Sequence, residues 1–185
     1  VIPDGEFECA AVLMEHTQDV KAVAWHPRED VRTSQPLPGT LLKTIQILAS
    51  ASYDDTIHLY TDDDGADDWT SVCALKGHGS TVWALAFAPR GEHLASVSDD
   101  RTLRIWKRGG RGSRDRWAEV AKIDSAHERA IYSVAWTDAP DVEEHEGCRP
   151  LGWIATAGAD GRINVYTASV SALGCFKDPP PTIQT

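Results

Sequence analysis

The sequence predicts an all-β protein, three four-stranded sheets set side by side as an open, partial propeller. Two observations carry this. A pattern recurs three times along the 185 residues, and each copy contains strand-like runs with period-two alternation between turn residues, the spacing of short strands in an all-β architecture. Each copy supplies a His, then a Ser or Thr, an Asp and an aromatic: His16, Ser50, Asp54, Tyr60; His78, Ser96, Asp100, Trp106; His127, Thr156, Asp160, Tyr166. From hydroxyl to Asp is always 4 positions and from Asp to aromatic always 6.

So rigid a spacing implies a buried network inside each unit, hydroxyl and carboxylate on the imidazole with the aromatic closing one end. Ser, His and Asp are also the members of a hydrolase triad. A catalytic site needs one such set beside one pocket, whereas here the set recurs at structural intervals and no GxSxG elbow is present. The reading is structural and the expectation is no enzyme. Together these features have the form of WD40 β-propeller repeats.

The expected units are residues 6–61, 67–108 and 116–167, with 168–185 holding the start of a next blade and a Pro-rich tail. Taking the outermost strand first, the first unit reads as Glu8 to Leu13, Val20 to Trp25, Ile47 to Ser52 and Thr56 to Tyr60. The second reads as Trp69 to Leu75, Val82 to Phe87, His93 to Ser98 and Thr102 to Lys107. The third reads as Trp117 to Ile123, Ile131 to Trp136, Trp153 to Ala157 and Arg162 to Thr167. Val170 to Phe176 has the position of a further outer strand. Propellers usually have four to eight blades. Three make an arc, so with Val1 in place of Met and the tail at Pro179 to Pro181 the chain is expected to be part of a longer protein or of an arc completed by others.

Two connections are oversized. Only 7 positions separate Phe87 from Leu94, against 23 from Trp25 to Leu48 and 18 from Trp136 to Ile154. Pro36 to Gly39 argues against regular structure in the first, and Pro140 punctuates the acidic second. Both should project from one face. Acidic Asp62, Asp63, Asp64, Asp67 and Asp68, and basic Lys107, Arg108, Arg111, Arg114 and Arg116, are expected in inter-blade loops on that same face, solvated. An RNA role for the Arg-Gly run is disfavoured, no aromatic being interleaved.

The opposite face holds the interaction candidates. Lys21, Trp83 and Tyr132, five past each His, and Tyr53 and Asp99, just before the Asp, should rim it, and such side chains dominate interface energy. The competing reading packs Trp83 and Tyr132 between blades. The formal charge of −10 argues against nucleic acid and anionic membranes and for protein partners. No apolar run reaches a membrane span, and residues 1–5 have no signal-peptide pattern. Cys9, Cys73, Cys148 and Cys175 are dispersed, without metal-ligand spacing. No metal or cofactor is expected, and Cys9 and Cys73 read as small packing thiols in outer strands.

The repeats carry a closer resemblance. His16 to Lys21, Trp25-His26-Pro27, Leu48 to Asp55, Ser80 to Trp83 with Leu85 to Phe87, Ser98 to Thr102 and Ile131-Tyr132 resemble the WD40 proteins of cytosolic iron–sulfur protein assembly. The likeness runs over most of residues 6–166, in the register of the fourth to sixth of seven blades. It implies a non-enzymatic docking platform in the complex that delivers clusters to cytosolic and nuclear apoproteins, reached indirectly. It also implies a HEAT-repeat targeting protein and a MIP18-type protein as partners, and a place in the cytoplasm and nucleus. Residues 28–46 have no counterpart there, and Thr61 stands after Leu59-Tyr60 where some members have Arg, against a Leu-Tyr-Arg signal. The alternative is a substrate-recognition or assembly subunit of another complex, such as a ubiquitin ligase, since propeller surfaces serve many functions.

Overall fold

A computed structural model describes residues 8–27, 30–31, 44–62, 69–109, 116–138 and 148–171. Thirteen strands and no helix appear among them: β1 (Val20–Trp25), β2 (Asp30–Val31), β3 (Thr44–Ile45), β4 (Ile47–Ser52), β5 (Thr56–Asp62), β6 (Trp69–Lys76), β7 (Val82–Phe87), β8 (His93–Ser98), β9 (Leu103–Arg108), β10 (Trp117–Ile123), β11 (Ile131–Thr137), β12 (Cys148–Gly158) and β13 (Ile163–Ser171). Antiparallel pairing gives sheets β1-β4-β5-β6, β7-β8-β9-β10 and β11-β12-β13, plus the small pair β2-β3.

Sheets and repeats are offset by one strand. Trp69–Lys76 opens the second repeat yet pairs with β5, Leu59 opposite Cys73, and so completes the first sheet. Trp117–Ile123 pairs in the same way with β9. The strand grouping expected for units 6–61, 67–108 and 116–167 is therefore corrected. So is the placing of the charged runs: residues 63–68 and 110–115, outside the described set, connect neighbouring strands of one sheet (Asp62 opposite Trp69, Arg108 opposite Trp117) and not two blades.

The expected strand Glu8 to Leu13 does not form. Its place in the repeat is that of β6, whose ladder partner is the third strand of the preceding sheet. Without that partner its amides have no ladder, and Val12 and Met14 stand exposed. Cys9, expected as a packing thiol, is exposed for the same reason, while Cys73 is half-buried. The third sheet shows three strands, not four, among the described residues; most of the segment Val170 to Phe176 lies outside them. The insertion after β1 begins and ends in the pair β2-β3, Asp30 opposite Ile45, so its ends are regular although Pro36 to Gly39 lies outside the described residues.

Burial shows the stacking. Ile57 and Leu59 of the first sheet pack with Val82, Leu85, Phe87, Leu94 and Trp106 of the second. The second sheet's other face, Ala95, Val97, Leu103 and Ile105, packs on Ile131, Ile154 and Tyr166 of the third. Central strand β8 is buried at every position because both its faces are covered. At the ends of the arc the same repeat positions open to solvent: Ile105 is 2% exposed but Val165 59%, and Phe87 8% but Trp25 56%. Among the described residues the arc is open, because no further sheet neighbours its two outer faces.

One glycine is required by geometry. Gly152 follows a bulge in β12 with φ +115, and a Cβ there would meet the Thr137 carbonyl oxygen at 1.9 Å. Gly152→Ala is expected to cost about 3 kcal/mol, read as a lowered denaturant midpoint. An unchanged midpoint would mean this bulge is not strained.

Candidate docking surface and the networks beneath it

In the second sheet the four motif residues form one hydrogen-bonded chain. Trp106 Nε1 donates to Ser96 Oγ at 2.8 Å, and Ser96 Oγ meets His78 Nε2 at 2.7 Å. His78 Nδ1 meets Asp100 Oδ2 at 3.0 Å. The carboxylate accepts only, so Nδ1 carries the proton, Nε2 accepts from the serine, and the serine accepts from the indole. Asp100 also accepts from the amides of Gly79 (3.0 Å) and Thr102 (2.9 Å) and from the Thr102 hydroxyl (2.7 Å). It thereby pins the loop before β7 to the turn before β9.

The other two sheets share the imidazole bridge. His16 spans Ser50 Oγ (2.7 Å) and Asp54 Oδ2 (2.9 Å); His127 spans Thr156 Oγ1 (2.8 Å) and Asp160 (3.0 Å). The aromatic end differs. Tyr60 OH lies 3.5 Å from Ser50 Oγ, a distance too long for a strong bond, and Tyr166 OH donates instead to the Ala126 carbonyl at 3.2 Å. Closure on the hydroxyl, expected in all three, is realised by Trp106, whose indole N–H reaches where a phenol does not.

Burial alone raises each motif carboxyl, but hydrogen bonding overcomes it. Thr56, Thr17 and His16 hold Asp54, and His78, Gly79 and Thr102 hold Asp100, well below the usual carboxylate range. His127, Glu128 and Arg162 lower Asp160 to about 2. A depressed folded value stabilises above the unfolded value, near 4, and that stability disappears as pH falls through the folded value. The melting temperature should therefore drop steadily from about pH 5 to pH 2. An Asp100→Asn protein should show a shallower drop over that range.

At the end of the sheets carrying these loops, three bulges aim three side chains. β1 skips a residue between Val20 and Ala22 in its pairing with β4, β7 between Val82 and Ala84, and β11 between Ile131 and Ser133. The skipped residues are Lys21, Trp83 and Tyr132, turned out of the ladder by the extra residue. They touch in a row. Lys21 Nζ lies 5.1 Å from the Tyr53 ring centre and 5.8 Å from that of Trp83, and Trp83 meets Tyr132 edge to face at 5.3 Å. Tyr53 and Tyr132 are about half exposed. Trp83 Nε1 is buried without a hydrogen-bond partner among the described residues.

Of the five sequence candidates, four thus meet. Asp99 stands beside Trp83: its amide donates to the Thr81 carbonyl (3.0 Å) and its exposed side chain occupies in the second sheet the place Tyr53 has in the first. Sequence reasoning missed Asp19, whose carboxylate holds Lys21 Nζ at 3.0 Å; the two-residue spacing was its only signal. It also missed His58, edge-on to His16 at 4.6 Å and pushed below its usual value by burial and then by His16. The same position holds Arg104, ion-paired to Glu119, and Asn164, donating to Ala126 O at 2.7 Å. Among the described residues no three His, Cys, Asp or Glu gather as metal ligands.

The family model for the WD domain, G-beta repeat, matches residues 7–61 and 69–107. The chain belongs to the WD40 repeat family. Among curated relatives it is 38% identical over 152 residues to a probable cytosolic iron-sulfur protein assembly protein CIAO1 homolog of Ixodes scapularis, covering 82% of this chain and 38% of that protein. It is 36% identical over 182 residues to a probable cytosolic iron-sulfur protein assembly protein 1 of Chaetomium globosum, covering 88% of this chain and 37% of that protein. A similarly named Culex quinquefasciatus protein is 40% identical over 120 residues. The chain spans less than two fifths of the length of these relatives.

Proposed function

We propose that this WD40 chain is a non-enzymatic docking platform in cytosolic iron–sulfur protein assembly, part of a targeting complex that brings clusters to cytosolic and nuclear apoproteins. The observation that carries the reading is similarity over more than four fifths of the chain to proteins bearing that name. The network chemistry supports a structural role for the Ser-His-Asp sets. A nucleophile must reach its substrate, yet Ser96 and Thr156 are at most 1% exposed and their hydroxyls are held by His78 and His127.

On this reading the row Lys21, Tyr53, Trp83 and Tyr132 is the docking surface, with a HEAT-repeat targeting protein and a MIP18-type protein as partners. Affinity purification of the tagged protein from cytosol tests it. Those two proteins should co-purify, and capture of ubiquitin-ligase subunits in their place would overturn the assignment.

A further inference from the structure

The row contains one finished example of cation recognition. The Lys21 ammonium lies against two aromatic rings and one carboxylate, those of Tyr53, Trp83 and Asp19. The neighbouring position repeats the parts without the cation. Trp83 and Tyr132 form the ring pair, and Asp99 stands on the turn beside the Trp83 bulge as Tyr53 stands beside that of Lys21. Arg101 is exposed on the same turn as Asp99, and Arg129 Nη1 donates to Ala159 O at 3.3 Å. Among the described residues neither lies over a ring.

We propose that the Trp83–Tyr132 side of the row, with the Asp99 carboxylate, seats an Arg or Lys side chain from a basic segment of a protein partner. Ring faces attract cations through their quadrupoles, most strongly on Trp, and gain when a partner excludes water. Lys21 Nζ, 5.8 Å from the Trp83 ring centre, is paired with the Asp19 carboxylate at 3.0 Å, which offsets its charge toward an incoming cation. The −10 charge of the whole chain steers a basic segment toward the protein and an acidic one away. The inference rests on the mouth face being a docking surface and adds the chemistry of what docks.

The test is fluorescence anisotropy with labelled short peptides of alternating Arg and Gly, Glu and Gly, or Ser and Gly, titrated with the 185-residue protein. The Arg peptide should bind saturably and the others should not. Tyr132→Ala and Asp99→Asn should each weaken binding about tenfold, Tyr132→Phe should retain it, and Asp138→Asn at the opposite end of the sheets should leave it unchanged. Equal effects of Asp138→Asn and Asp99→Asn would show diffuse attraction to an acidic protein and overturn the proposal. So would no effect of Tyr132→Ala, no Arg-peptide binding, or tighter binding of the Glu peptide. Partner capture that depends on Trp83 while the Arg peptide fails sinks this inference alone; capture indifferent to Trp83 sinks the docking reading beneath it.

Discussion

Asp100→Ala should lower the stability of the arc by about 3 kcal/mol, without changing the sheet content of what remains folded. The size follows from what the carboxylate holds. It accepts from the His78 imidazole, two backbone amides and the Thr102 hydroxyl, and alanine offers none of them an acceptor. His78 is 8% and Thr102 5% exposed, so water replaces the lost partner poorly, and each stranded buried donor carries a desolvation penalty. The second sheet is also the one packed on both sides, so its loosening is transmitted to both neighbours. Urea denaturation followed by circular dichroism measures this. A midpoint equal to the parent's would mean the network is ornamental, and Asp100→Asn, which keeps an acceptor oxygen, should fall between the two.

Trp83→Ala should weaken partner capture by about 2 kcal/mol, roughly thirtyfold in Kd. Its ring is the centre of the row, in contact with Lys21 on one side and Tyr132 on the other, so its loss breaks the continuity of the surface. The cost to folding should be smaller, because the indole N–H has no hydrogen bond to lose among the described residues. Tyr132→Ala removes a half-exposed ring and should weaken capture less. A quantitative pull-down beside a thermal melt separates the two effects. Capture that falls only in step with melting temperature would assign Trp83 to packing between blades.

The imidazole bridges were legible in the sequence because they depend on residue type and fixed spacing: a His, a hydroxyl and an Asp at those intervals meet wherever the strands form at all. Their aromatic ends were less legible. Tyr60, Trp106 and Tyr166 occupy one position, and the length and polarity of the ring decide whether it reaches the hydroxyl. Which sheet Trp69–Lys76 joins was not readable, since its alternation suits either side and the choice is made by the free edge of β5. Glu8 to Leu13 shows the converse: a strand pattern is a capacity for pairing, realised only where a ladder partner exists. The rim positions of Lys21, Trp83 and Tyr132 followed from repeat register, but their mutual contact required the bulges, which no residue type announces.

The one-strand offset between repeats and sheets bears on how such a protein can change length. The second and third repeats each hand their first strand back to the sheet before them. Remove residues 69–116 and Trp117–Ile123 follows β5 directly, in the place of β6, leaving the first sheet four-stranded. The repeats are therefore interchangeable links. A propeller lineage assembled from them can gain or lose a link without orphaning a strand at the splice, and only the two extremities of the array bear the mismatch.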